Sequence, residues 1–234
     1  MRLLAMDTSG PVCGVAVMEE DRVVSELTVQ NHNTHSTTLM PLVEMALETA
    51  GRELAEMDAI AAVTGPGSFT GVRIGVATAK GLAHGAGLPC IAVDALEALS
   101  VSAGAFEGIV CPIQDARAGQ VYGAAFREGK RLLPDAPMKL EEYLEAIQKL
   151  DFTQNLFTGD GVAPHREAIR AILKDRACFA PPHLCFLRPS AAGLLAMEKA
   201  KRGETVDYLS LEAKYLRPPN AQKNKKLLEA MGHE

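Results

Sequence analysis

The chain of 234 residues has a net charge of -5 and is 47% hydrophobic, so its length fits one large domain or two modest ones. An acidic body repels phosphate groups, and this disfavours strong direct nucleic-acid binding, tRNA included, by the chain alone. Its apolar runs fall short of the roughly 20 residues that span a bilayer, and its first residues contain no signal segment, so we expect a cytoplasmic protein without a membrane segment.

Hydrophobic alternation at the start of the chain predicts a small antiparallel sheet. Apolar or β-branched runs at 3–6, 12–18 and 22–29 are separated by turn-forming residues, as in a three-stranded meander. From Ser36 the apolar residues recur at helical spacing, and Gly51 follows where a residue that tolerates positive φ would close a helix. We therefore predict a helix at about 36–50.

A strand, a glycine-rich loop, a helix and another strand come next. They lie at 58–64, 65–71, 72–86 and 88–93. Parallel strands joined by helical crossovers explain this alternation. The sequence therefore predicts a mixed α/β fold that begins with antiparallel strands.

A second block repeats the opening theme in a shorter form. Strand-like runs at 109–114 and 120–126 flank a turn at 115–119. Helical patterns follow at 140–150, 163–174 and 190–201. We interpret the repeat as two related lobes, the second one reduced. The predicted units are a first lobe at 1–104, a second lobe at 105–217 and a polar tail at 218–234. Helix 190–202 of the second lobe could pack back on the first lobe.

Residues 65–71, Gly-Pro-Gly-Ser-Phe-Thr-Gly, form the most specific segment of the sequence. Glycines around a proline between a strand and a helix fix a tight backbone path, and amides exposed at a helix N-terminus bind anions. The segment lacks the lysine of a Walker loop and the spacing of a dinucleotide-binding loop. Two interpretations remain, a contact with a phosphate ligand or a loop that only lets strand and helix pack closely.

The helix at 72–86 has more apolar surface than one sheet face can cover. Thr70, Arg73, Lys80 and His84 share one narrow polar arc, and apolar side chains fill most of the remaining circumference. Small residues also recur every four positions at 71, 75 and 79, a stripe along which another helix can approach.

We predict that this helix and helix 36–50 form a partner or dimer interface, because both have apolar surface beyond the needs of their own core. The predicted interface residues are Met40, Val43, Leu47, Gly71, Val72, Gly75, Val76, Ala79 and Ala83. The alternative is that the two helices pack only within the monomer, since wide apolar arcs also occur in buried helices.

The residues after the first strand are candidate ligand contacts. A carboxylate and two hydroxyls at Asp7, Thr8 and Ser9 could hold a metal-bound phosphate, although a turn-forming Asx motif is the default interpretation. The candidate phosphate or nucleotide contacts are Asp7, Thr8, Ser9, Gly67 and Ser68.

The sequence predicts no catalytic residue and no metal site. His32 and His35 have no third ligand nearby, so we interpret them as ordinary residues of a polar loop rather than as ligands of a zinc ion. No serine or cysteine lies in the local signature of an activated nucleophile, and the five scattered cysteines are predicted to be buried and reduced. The sequence assigns no role to Arg73, Lys80, Asp115 or Arg217.

Several segments together resemble the bacterial TsaB family, also called YeaZ. They are 5–9, 65–75, 79–83, 115–117, 159–161 and 215–217. The match is close over residues 1–100 and holds in outline from 127 to 210. The resemblance implies the fold of acetate kinase, Hsp70 and actin, which is ribonuclease H-like, with a reduced second lobe.

The resemblance also implies a role in tRNA threonylcarbamoyladenosine synthesis. It implies a non-catalytic partner of the transferase TsaD, joined by the ATPase TsaE, and a homodimer when alone. The related TsaD has a metal-binding histidine pair after a strand that corresponds to the one ending at Val93, where this chain has 94–98, Asp-Ala-Leu-Glu-Ala. The resemblance implies that the protein requires no cofactor, and ATP or ADP is a candidate ligand at an interface with a partner. The alternative is an enzyme in its own right, either a nucleotide-hydrolysing actin relative or a peptidase.

Overall fold

The computed structural model describes residues 1–20, 22–31 and 33–217, so His32 and the predicted tail at 218–234 lie outside the described residues. Within the described ranges the chain forms two lobes, each built on a five-stranded mixed sheet. The predicted α/β class with two related lobes is confirmed.

The first lobe begins with the predicted meander and continues with parallel crossovers. Its elements are β1 (Arg2–Asp7), β2 (Cys13–Glu19), β3 (Arg22–Val29), α1 (His35–Ala50), β4 (Ala59–Gly65), α2 (Phe69–Ala86), β5 (Cys90–Asp94) and α3 (Ala95–Ser102). The strand order is β3-β2-β1-β4-β5, with β1 antiparallel to β2 and parallel to β4.

The second lobe repeats this order of elements. It contains β6 (Ile109–Asp115), β7 (Gln120–Arg127), β8 (Lys130–Lys139), α4 (Leu140–Lys149), β9 (Asn155–Thr158), α5 (Val162–Leu173), β10 (Ala177–Phe179) and α6 (Pro189–Lys201). Its strand order, β8-β7-β6-β9-β10, matches that of the first sheet. The sequence echo therefore reflects a complete topological repeat, in which β9 and β10 are short.

The helices and sheets stack in layers. Alternate residues of β1 point to opposite faces, so Leu4 packs with α1 and α2 while Leu3 packs with α3 and α6. Helices α4 and α5 cover the outer face of the second sheet. Although α6 follows the second sheet in the chain, it packs on the first, and its N-terminal Ser190 hydroxyl donates to Glu26 on β3 at 2.6 Å.

The ends of α1 and α2 follow from local chemistry. Gly51 closes α1 with φ 62°, as the sequence predicts. Helix α2 begins at Phe69, three residues before the predicted start, because the Ser68 side chain accepts a hydrogen bond from the backbone N–H of Gly71 at 3.3 Å. The glycine-rich loop is thus partly the first turn of α2.

Candidate functional site

A cleft of about 620 Å³ lies between the two lobes. Its walls are the β1–β2 turn, the loop between β4 and α2, the β6–β7 turn and residues 214–217. The central strands β1, β4 and β6 all end at this cleft. The carboxyl ends of strands are where open α/β folds bind ligands, so the cleft is the first candidate site.

Equivalent Asx turns from the two lobes face this cleft. Asp7 Oδ1 accepts from the backbone N–H of Ser9 at 2.8 Å, and Asp115 Oδ1 accepts from the backbone N–H of Arg117 at 2.8 Å. The structure therefore contains the Asx turn that the sequence indicates at Asp7, and the similarity between the two lobes includes this turn. One oxygen of each carboxylate is engaged in holding its own turn.

The floor of the cleft is polar and incompletely satisfied. Burial raises the pKa of Asp7 from 3.8 to about 6, although hydrogen bonds from Ser9 oppose that rise. Burial also raises the pKa of Asp160 to about 6. Among the described residues, Gln114 Oε1 is buried without a hydrogen-bond partner. Such oxygens accommodate water or the polar group of a ligand.

The structure separates the five candidate phosphate contacts into two groups. Ser9, Gly67 and Ser68 line the cleft, whereas Asp7 and Thr8 lie beneath its wall and are nearly or fully buried. The hydroxyl of Thr8 donates to the carbonyl of Gly71 at 2.7 Å and is therefore already used inside the protein.

The glycine-rich loop packs tightly on the β1–β2 turn. The backbone N–H of Ser68 donates to the carbonyl of Ser9 at 2.7 Å. A Cβ on Gly71 would collide with the carbonyl of Thr8, and a Cβ on Gly75 would lie 2.5 Å from Thr8 Oγ1. These glycines are needed for close approach, so the geometry favours the packing interpretation of the loop.

The predicted interface residues require a correction. The structure buries Val43, Gly71, Val72, Gly75, Val76, Ala79 and Ala83 within the first lobe. Leu47 packs half-buried against the same core, and Met40 is exposed. The small-residue stripe faces the chain's own β1–β2 turn and sheet, because that is where α2 must approach most closely. A partner can reach only Met40 and part of Leu47 from this set.

Another set of residues on the same two helices does face outward, away from the first sheet. We call it the outer face of α1 and α2, and it consists of Met40, Pro41, Met45, Ala77, Gly81 and Gly85. Met40 and Met45 are 38% and 53% exposed. A Cβ built at Gly81 or Gly85 meets nothing within 4 Å. The spacing of 77, 81 and 85 is also visible in the sequence, but it does not reveal which small-residue stripe faces outward.

The polar arc of α2 contacts the chain's own C-terminal segment. Arg73 Nε donates to the Tyr215 hydroxyl at 3.0 Å, and Lys80 Nζ donates to the carbonyl of Leu209 at 3.1 Å. The ring of His84 lies 4.5 Å from that of Tyr208. Ala77 lies one helical turn from both Arg73 and Lys80, so the arc borders the outer face.

Two further sites considered in the sequence have ordinary roles in the structure. His35 Nε2 contacts the carbonyl oxygen of Gly10 at 2.9 Å, and its loop neighbour His32 lies outside the described residues. Asp94 caps α3 by accepting from the backbone N–H of Glu97 at 3.0 Å. No group of three or more His, Cys, Asp or Glu residues that could hold a metal ion occurs in the described part of the chain.

The cysteines are free thiols, but they are not all buried as predicted. Cys13, Cys90 and Cys111 are buried, whereas Cys178 and Cys185 are half-buried. Burial raises the pKa of Cys13 to about 12 and that of Cys111 further. These thiols are protonated near neutral pH and are poor nucleophiles.

Comparisons with known proteins agree with this architecture. The family model of "TsaD: tRNA N6-adenosine threonylcarbamoyltransferase" matches residues 23–224. The tRNA threonylcarbamoyladenosine biosynthesis protein TsaB of Bacillus subtilis is 34% identical over 226 residues, covering 95% of this chain and 96% of that protein.

Solved structures show the same fold. A Pseudomonas aeruginosa protein described by its similarity to peptidase YEAZ has a TM-score of 0.75 at 29% identity, covering 92% of this chain and 99% of that one. The ROK hexokinase of Thermus thermophilus has a TM-score of 0.50 at 14% identity, covering 86% of this chain and 100% of that one. This second likeness concerns the actin-like fold alone. No helix among the described residues is long and apolar enough to cross a membrane.

Proposed function

Because the chain belongs to the TsaB (YeaZ) family, we propose that it acts in tRNA threonylcarbamoyladenosine synthesis as a non-catalytic scaffold subunit. Its partners in this proposal are a TsaD-like transferase and a TsaE-like ATPase, and it forms a homodimer when alone. The chain also matches the family model of the transferase, so scaffold and transferase share a fold and could pair through equivalent helices.

The observation that carries the scaffold proposal is the outer face of α1 and α2. This face presents two exposed methionines on α1 and a strip of exposed alanine and glycine on α2. Methionine adapts to the shape of a partner, and small residues let a partner helix approach closely. The face therefore supplies flexible apolar side chains on one helix and small residues on the next, which suits a helix pair from a second subunit.

The experiment compares Ala77→Arg with Ala168→Arg. Both alanines are exposed within a helix, but Ala77 lies on the outer face and Ala168 lies on α5 of the second lobe. Light scattering after size exclusion gives the mass of each variant alone and mixed with the transferase of the same organism. We expect Ala77→Arg to remain folded, to be monomeric and to lose the heterodimer, while Ala168→Arg behaves like the native chain. Dimers of unchanged mass with Ala77→Arg would refute the proposed interface.

A nucleotide-hydrolysing activity is the second candidate, and the inter-lobe cleft favours it. The cleft is large enough for a nucleotide, and Gln114 Oε1 beside it has no partner among the described residues. Against hydrolysis, Asp7 Oδ1 is committed to its Asx turn and the Thr8 hydroxyl to Gly71. ATP or ADP at a partner interface remains compatible with the scaffold proposal.

The decisive assay for this alternative is phosphate release from ATP by the purified chain. The scaffold proposal predicts the same low background for the native chain and for Asp7→Ala, with circular dichroism confirming that the variant is folded. Robust turnover that disappears in Asp7→Ala would favour the enzyme. The same samples tested against peptide substrates address the peptidase alternative, for which the buried and protonated thiols of Cys13 and Cys111 supply no nucleophile.

A further inference from the structure

The segment at 206–217, which we call the strap, runs along α2 in the opposite direction to the helix. Val206 forms backbone hydrogen bonds with Cys90 in both directions, at 2.8 and 2.9 Å, which places the start of the strap on the edge strand β5. Contacts with the polar arc of α2 then guide it from the C-terminal end of that helix to the N-terminal end. The strap thus begins on the first lobe.

The middle of the strap is fixed to the first lobe by packing and by backbone contacts. Leu211 is 1% exposed and belongs to the same apolar core as α1 and α2. The backbone N–H of Lys214 donates to the carbonyl of Thr64 at 2.7 Å. A Cβ on Gly65 would lie 2.6 Å from the carbonyl of Lys214, and Gly65 has φ 113°, so glycine is required where the strap crosses β4.

The side chain of Lys214 joins the two lobes. Its Nζ lies 2.7 Å from Asp94 Oδ2 at the end of β5 and 2.6 Å from Asp135 Oδ2 on β8. Arg131 on β8 also contacts Asp135, Asp94 at 3.2 Å and Glu97 at 3.7 Å. The cluster therefore contains three carboxylates and two cations, contributed by the first lobe, the second lobe and the strap.

The end of the strap reaches the turn of the second lobe that faces the cleft. Arg217 Nη1 donates to the carbonyl of Ala116 at 2.9 Å, within the β6–β7 turn. Tyr215, two residues earlier, packs against Phe69 of the first lobe with ring centroids 4.9 Å apart. Residues 214–217 consequently line the cleft and connect both of its walls.

We propose that the strap fixes the opening between the two lobes, with the Lys214 ammonium group as its fastening point. The Lys214 ammonium neutralises carboxylates that lie on opposite sides of the lobe junction. Without it, Arg131 is the one cation among the described residues that contacts these three carboxylates, two from the first lobe and Asp135 from the second. The Asp135 side chain is 4% exposed, so water screens this repulsion poorly, and separation of the lobes relieves it. This inference does not depend on the proposed scaffold function.

The experiment is hydrogen exchange by mass spectrometry on the full chain with Lys214→Met, which removes the charge and keeps most of the aliphatic stem. We expect exchange to become about fivefold faster or more in both turns that face the cleft, 8–12 and 115–120, with α4 unchanged. Lys214→Arg should restore slow exchange. The matched control is Lys130→Met, an exposed lysine at the start of β8.

Faster exchange confined to the strap, with both turns as slow as in the native chain, would overturn the proposal, because the lobes would then keep their spacing without the fastening point. If circular dichroism shows that Lys214→Met does not fold, Arg217→Gln provides the second measurement. That variant neutralises the side chain and shortens it, so that it no longer reaches the carbonyl of Ala116 as Arg217 does, and we expect faster exchange in 115–120. An unchanged turn in Arg217→Gln would also overturn the proposal.

Discussion

Two glycines of α2, Gly75 and Gly81, should respond in opposite ways to the same added methyl group. A Cβ on Gly75 lies 2.5 Å from Thr8 Oγ1, whose hydroxyl donates to Gly71 in the buried interior, whereas a Cβ on Gly81 meets nothing within 4 Å. Both positions lie inside the helix, so alanine gains about 1 kcal/mol of helix propensity at each. Only the tertiary contact distinguishes the two substitutions.

The magnitudes follow from that contact. At Gly75 the extra methyl costs about 1 to 3 kcal/mol through overpacking and about 1 to 3 kcal/mol through disturbance of the Thr8 hydrogen bond. After the gain in propensity, Gly75→Ala should destabilise the protein by about 1 to 5 kcal/mol. Gly81→Ala should stabilise it by about 1 kcal/mol.

The assay is urea unfolding followed by circular dichroism, with all variants at one protein concentration because association shifts apparent stability. A Gly75→Ala variant as stable as the native chain would refute the packing interpretation of the glycine stripe. A strongly destabilised Gly81→Ala variant would refute the assignment of Gly81 to an open outer face.

Two carboxylates, the buried Asp7 and the half-buried Glu26, should also affect stability in measurable ways. Asp7 has a pKa of about 6 in the folded protein, above its ordinary value of 3.8. The folded state therefore binds the Asp7 proton more tightly than the unfolded state, and the free energy of unfolding falls as the pH rises from about 4 to 6. The loss amounts to about 3 kcal/mol, because each unit of pKa difference corresponds to about 1.36 kcal/mol. Asp7→Asn should therefore raise the melting temperature at pH 7.5 and have little effect at pH 4; equal effects at both values would contradict this. Glu26 accepts hydrogen bonds from Ser190 and Arg188 at the start of α6. Glu26→Ala should therefore lower the free energy of unfolding, measured in urea, by about 2 to 4 kcal/mol. A decrease below about 1 kcal/mol would indicate that packing alone holds α6 on the first sheet.

The sequence predicts most elements of the first lobe because their periodicities are unambiguous. The meander alternates with period two, α1 and α2 have helical spacing, and Gly51 marks the end of α1. The junction between β5 and α3 gives no such signal. Asp94 ends the strand and caps the helix, so no turn residues separate them, and α3 is absent from the prediction.

The second lobe shows a different limit. Strand β8 contains Pro134 and Pro137, which sequence rules exclude from central strands. The structure places β8 at the edge of its sheet, where a missing N–H is tolerated. Strands β9 and β10 have four and three residues, too few for a pattern to emerge.

The candidate site was only partly predictable for a related reason. Periodicity shows which residues share a face of α2, but only tertiary contacts show which face is buried. Two small-residue stripes run along this helix, and the approach of Thr8 decides that the one containing Gly75 faces inward. Similarly, Ser9 and Asp160 are far apart in sequence, and their shared cleft appears only when the two lobes are assembled.

The modification reaction itself tests our proposal that the outer face of α1 and α2 makes this chain a scaffold for the transferase. Threonylcarbamoyladenosine formed on tRNA is measured in a reconstituted mixture of transferase and ATPase with the native chain, Ala77→Arg or Ala168→Arg. We predict full product with the native chain and Ala168→Arg, and product at the level without any added chain for Ala77→Arg. Equal product with Ala77→Arg and the native chain would contradict the claim.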